Sequence, residues 1–147
     1  MGNGDYTSNP ENILQVLRST LPLKVLNTKK GHGTFLTFDL KRHDASSNVH
    51  LWIYLCDWMA FKNNSKILDS SAPDYSEEYL SHIFKNRQLL DVIESSGSTI
   101  HLLFDDDSYF VLSPNLNAYS DEDDLLRFFM PNKKVISFSV EKRFYVE

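Results

Sequence analysis

Apolar positions along the chain follow two periods. Ile13, Leu14 and Leu17 recur at helical spacing after Pro10, and Pro22 closes that stretch, which predicts a first helix. Ser8 and Glu11 stand at capping-box spacing in front of it. The spacing then shortens. Val25 to Lys30 reads as a short strand, Thr34 to Leu40 alternates, and Val49 to Met59 is almost unbroken apolar or aromatic. That last run predicts one central strand covered on both faces. "KRHDASSN" is the polar hairpin loop before it, and residues 62–75, rich in Asn, Ser and Asp with Pro73, read as a loop. A second helix starts at Ser76, with Tyr79, Leu80, Ile83 and Phe84 as its buried stripe. Glu77 and Glu78 in its first turn and Lys85 and Arg87 at its end complement the helix dipole. A third helix is expected from Ser120, with Asp123 at capping-box spacing, Leu125, Leu126, Phe128 and Phe129 buried, and Pro131 as its stop. Lys133 to Tyr145 closes the chain as a last strand.

The pattern repeats. "GHGTFLTFD" (Gly31–Asp39) aligns with "GSTIHLLFD" (Gly97–Asp105) at an offset of 66, with Gly, Leu, Phe and Asp coinciding. Each unit has a leading strand (Val25–Lys30; Asp91–Ser95), a Gly turn, a second strand, a third strand (Val49–Met59; Tyr109–Leu112) and a helix. The expectation is an α+β fold: a mainly antiparallel sheet of about seven strands with three helices, built as two βββα units. Residues 1–9 read as a disordered N-terminus and 10–147 as a single domain.

Composition narrows the picture. Aromatics make up 13% of the 147 residues, which favours strands. The single cysteine, Cys56, leaves no intramolecular disulfide and points to a reducing, cytoplasmic compartment. No apolar run approaches the roughly 20 residues that cross a bilayer. Charge is uneven. Residues 74–124 carry two basic groups against twelve acidic ones, whereas residues 1–73 carry eight against six and residues 125–147 five against two. Such an acidic middle is poor equipment for a nucleic-acid backbone and suits a basic protein partner.

Candidate chemistry is sparse. In "KKGHG" the glycines lead into a strand, whereas a phosphate loop needs them to lead into a helix N-terminus, so Gly31 and Gly33 read as hairpin turn residues of positive φ. His32, His50 and His101 are the histidines that a folded sheet could bring together as acid and base. His43 and His50 flank a loop, and the lone cysteine offers no zinc signature. Cys56 lies in the most apolar run and reads as a small buried hydrophobe. No catalytic, metal or cofactor motif emerges. The acids Asp105, Asp106, Asp107, Asp121, Glu122, Asp123 and Asp124 exceed what a hairpin turn and a helix start require. They are the candidate partner-binding residues, since like charges placed together oppose compaction.

The segments "GHGTFLTFD", "LWIYLCDW" and "LLFDDDSYFVLSP" resemble those of small bacterial immunity-type proteins, the antitoxin partners of contact-dependent inhibition and related polymorphic toxin systems. The resemblance implies a cytoplasmic, non-enzymatic protein that binds and neutralises one cognate toxin. The acidic middle suits a basic, nuclease-type toxin, with no nucleic acid and no membrane as partner. The competing readings are a small hydrolase or nuclease built on convergent histidines and a non-catalytic structural subunit.

Overall fold

The computed structural model describes residues 9–42, 47–71 and 75–147, so residues 1–8 of the expected disordered terminus, His43 and Pro73 lie outside them. Eleven strands and two helices occur among the described residues. Helix α1 (Pro10–Arg18) is capped by Asn9, whose Oδ1 accepts the Glu11 N–H at 2.8 Å. Strands β1 (Leu23–Lys30), β2 (Leu36–Lys41) and β3 (Asn48–Ile53) form a meander, followed by the hairpin β4 (Asp57–Lys62) and β5 (Ser65–Asp69). Helix α2 (Glu77–Phe84) opens the second half with Ser76 as its cap, and β6 (Gln88–Ser95), β7 (Thr99–Phe104) and β8 (Ser108–Ser113) form a second meander. Strands β9 (Asp124–Phe129), β10 (Val135–Ser139) and β11 (Arg143–Val146) end the chain.

All eleven strands join one antiparallel sheet in the order β11-β10-β9-β3-β2-β1-β6-β7-β8-β4-β5. The expected α+β class of about seven strands and three helices is therefore corrected to a mostly-β architecture. Three elements account for the difference. The apolar run Val49–Met59 is two strands, because the chain leaves β3 at Tyr54 and re-enters the far side of the sheet at Asp57. The third helix is absent from 120–131, where a turn precedes β9. The capping signal is real but closes one turn only: the Ser120 N–H donates to Asp123 Oδ2 at 2.9 Å, and the Glu122 N–H to Ser120 Oγ at 3.0 Å. The ten residues between Ser120 and Pro131 give helix propagation little to repay nucleation, while β3 and β10 pair with the segment on both sides. The last expected strand is a hairpin, β10–β11, and the loop expected at 62–75 contains β5.

The repeat also takes another form. Each meander is preceded by its helix, so the units are helix-first rather than βββα. Their register corresponds at an offset of 64: Val25↔Leu40 with a bulge at Leu26 in the first half matches Leu89↔Phe104 with a bulge at Leu90 in the second. The two meanders meet where Lys24 pairs with Gln88, positions that are themselves 64 apart. Each half is then completed by the other's neighbour in sequence. β4 and β5, which follow β3, extend β8, and β9–β11, which follow β8, extend β3.

The core lies between the halves. Phe38 of β2 meets Phe84 of α2, Phe104 of β7 and Phe110 of β8 with ring centroids 5.6–6.2 Å apart. The Trp58 indole N–H donates to the Thr34 carbonyl at 2.8 Å, tying β4 to the β1–β2 turn. In that turn only Gly33 has positive φ (+62°); Gly31 is fixed because a Cβ there would stand 2.6 Å from the Phe35 ring. Tyr79, expected on the buried stripe of α2, is 46% exposed. No helix among the described residues is long and apolar enough to cross a membrane.

Candidate functional site

Side chains alternate across a strand, so each interior residue of the first half-sheet has an outward neighbour. On β2 these are Thr37, Asp39 and Lys41; on β3, Asn48, His50 and Trp52. Pairing sets them in rows. Asp39, His50 and Phe129 stand side by side, and Thr37, Trp52 and Arg127 form the next row. Trp52 lies 5.2 Å from Phe35, 5.9 Å from Tyr54 and 4.6 Å from Phe129 between ring centroids. All four aromatics are half-buried. The alternation expected along β3 holds, with Ile53 fully buried, but its other face is not covered as the apolar run implied. Both helices give their buried residues, Ile13, Leu14 and Leu17 of α1 and Leu80 and Phe84 of α2, to the core instead.

The polar groups on this face are organised. His50 Nδ1 and Asp39 Oδ1 are 2.6 Å apart. Asp124, 4% exposed, accepts from Arg127 Nε at 2.9 Å and from the Tyr145 hydroxyl at 2.6 Å. Burial, reinforced by the Asp124 carboxylate, pushes the Tyr145 phenol well above its ordinary range. Glu147 accepts from Ser137 Oγ at 2.9 Å. The Arg127 guanidinium lies 5.7 Å from the Tyr54 ring centroid, within cation–π range.

The duplicated scaffold singles out this face. Asp39–His50–Phe129 corresponds to Leu103–Tyr109–Phe61 in the second half, and Thr37–Trp52–Arg127 to His101–Val111–Met59. The same pairing geometry thus carries mostly apolar and aromatic residues with one histidine, His101, in one half, and a histidine–carboxylate pair, an indole and a guanidinium in the other.

The seven expected acids separate. Asp105, Asp106 and Asp107 form the β7–β8 turn, where Asp105 Oδ1 accepts the Gln88 N–H at 3.0 Å. Asp106 pairs with Lys62 at 3.0 Å and Arg87 at 3.3 Å, and the Lys62 hydrogen bond holds its carboxyl below the usual range. Asp107 is exposed. Asp123 is used in its turn and Asp124 in the buried network. Asp121 and Glu122 remain exposed just ahead of β9, whose Leu125 and Asp124 carbonyls accept the Tyr54 and Leu55 N–H groups. The Glu141 N–H donates to the Asp121 carbonyl, which sets a third exposed acid next to this turn. Sequence reasoning missed Glu141, Arg127 and the aromatic set, whose signal was the outward phase of a run read as buried on both sides.

His50 and His101 do not converge: they lie on β3 and β7, with three strands between them in the sheet, and His101 Nε2 lies 3.3 Å from Ser95 Oγ. Asp39 can orient the His50 ring, as in an acid–base device. Besides Asp39, the neighbours of His50 on its face are Phe129, Trp52 and Asn48, none of them a nucleophile. Cys56 is fully buried, and burial pushes its thiol far up. Among the described residues no group of three His, Cys, Asp or Glu is placed to hold a metal. Comparison of the chain with protein-family models, curated proteins and solved structures returns no match.

Proposed function

We propose that this chain is a protein-binding inhibitor of the immunity type, acting in the cytoplasm, which neutralises a basic protein toxin by covering its working surface. The reading is carried by the half-buried aromatic set Phe35, Trp52, Tyr54 and Phe129 on an outward sheet face, with the exposed acids Asp121, Glu122 and Glu141 at the turn that leads into its strand β9. Large, stiff aromatic side chains anchor protein interfaces at low entropic cost, and Trp, Tyr and Arg supply most binding hot spots. Trp52 and Tyr54 would form the desolvated centre, with Arg127 fixed beside them by Asp124. The exposed acids would steer a basic partner into register. Asp107 contributes at longer range, while Asp106 is offset by its own cations.

The test is capture from the native cell with the tagged parent and a W52A/Y54A variant, followed by expression of the captured protein alone and with the inhibitor. The expected result is one basic protein retained by the parent, lost by the variant, and toxic unless the parent is co-expressed. A captured protein that is harmless alone, or retained equally by the variant, overturns the reading.

A further inference from the structure

The junction between the two halves holds a feature that the aromatic face does not absorb. Lys24 of β1 stands directly opposite Lys41 of β2 and, on its other side, opposite Gln88 of β6. Like charges facing each other across adjacent strands cost stability. Arg18, Lys62, Lys66, Arg127 and Arg143 each meet a carboxylate. The Lys24 and Lys41 side chains have no ion-pair or hydrogen-bond partner among the described residues. Protection of a sheet edge does not explain them, because β1 and β2 are interior strands.

The backbone opens at the same place. The bulge at Leu26 interrupts the β1–β2 register, and Lys24, Leu26, Lys41, Arg42 and Gln88 line a cleft of about 290 Å³. The corresponding positions of the second half reverse the charge: Lys41 maps to Asp105 and Arg42 to Asp106, both engaged by local partners. The two-lysine cleft therefore has no counterpart at the matching positions of the second half.

We infer that the Lys24–Lys41 cleft binds the phosphoryl group of a small phosphorylated ligand. Two lysines set opposite each other across a strand pair can both reach one dianion, which they match better than a single carboxylate, and lysine serves phosphate as a compact point charge. The cleft is near the lower limit of small-molecule sites, so it admits more than the phosphoryl group, with Leu26 supplying an apolar wall. This inference stands independently of the partner reading.

Thermal melts in inorganic phosphate and in pyrophosphate, with chloride balancing ionic strength, test it. The parent should show a saturable rise, about 5–10 °C at a hundredfold excess over Kd. K24Q and K41Q should each melt at or above the anion-free parent, because the like-charge contact is gone, and should lose the anion-dependent rise. K24R should keep it, as should K133Q in the exposed β9–β10 turn. No rise beyond that in chloride, or a rise that survives both glutamine substitutions, overturns the inference.

Discussion

Asp124 is 4% exposed, with one carboxylate oxygen held by Arg127 and the other by Tyr145. Removing it strands a guanidinium and a phenol, so Asp124→Ala should lower unfolding free energy by about 2–3 kcal/mol. Asp121→Asn and Glu122→Gln, exposed in the same short acidic run, should stay within about 0.5 kcal/mol. Urea denaturation of the three variants distinguishes a buried ion pair from exposed acids. Asp69 adds a pH dependence. The Lys66 ammonium, followed by the Ser71 hydroxyl, lowers its pKa to about 2. The folded value lies below the unfolded one, near 3.9, so its contribution is present above about pH 4 and is lost as pH falls toward about 2. Asp69→Asn should flatten that part of the acid-unfolding curve followed by circular dichroism; an unchanged slope would show the pair contributes nothing. At Gly33 the constraint is conformational. With φ at +62° and open space around the Cβ position, Gly33→Val should cost about 1–3 kcal/mol through backbone strain, and Gly33→Asn much less.

Elements were legible where local chemistry and tertiary partners agree. The α1 stripe of Ile13, Leu14 and Leu17 and the Ser76 cap of α2 are local signals, and both helices form where expected. Capping hydrogen bonds at Ser120 were equally legible, yet β9 follows, because Leu126 and Phe128 find partners in β3 and β10 that no local signal announces. The aromatic face escaped notice for a related reason. Periodicity shows that Trp52 and Ile53 point to opposite sides, but not whether the outward side is covered. The acids could be counted in the sequence, though not the cations that meet Asp106 or the burial of Asp124. Pairing between distant segments also predicts the effect of truncation. A chain ending at residue 123 loses β9–β11 and leaves β3, with Val49, Leu51 and Ile53 on its inner face, as an open edge. Such an edge invites pairing between molecules, and light scattering should show this truncated chain aggregating where the parent does not.

On the scale of the whole molecule, neither meander sits beside the hairpin that follows it in the chain. β3 is flanked by residues 126–129, and β8 by residues 57–62. A cut between β5 and α2 should therefore leave two fragments, 1–71 and 75–147, that each lack the outer neighbour of their own meander. Separately they should show little protection in hydrogen exchange; mixed in equal amounts they should recover the parent's pattern. Fragments that fold alone would show that the crossed connections are not required. The geometry has a further meaning. Two chains, each consisting of a helix, a meander and a terminal hairpin, would reach this sheet by lending their hairpins to one another about the Lys24–Gln88 contact. Such an exchange of identical elements is a common route to two-fold dimers. Joined end to end, the pair becomes one chain whose copies no longer have to match. One copy can then keep Leu103, Tyr109 and Val111, while the other acquires Asp39, His50 and Trp52, a specialisation closed to a dimer of identical subunits.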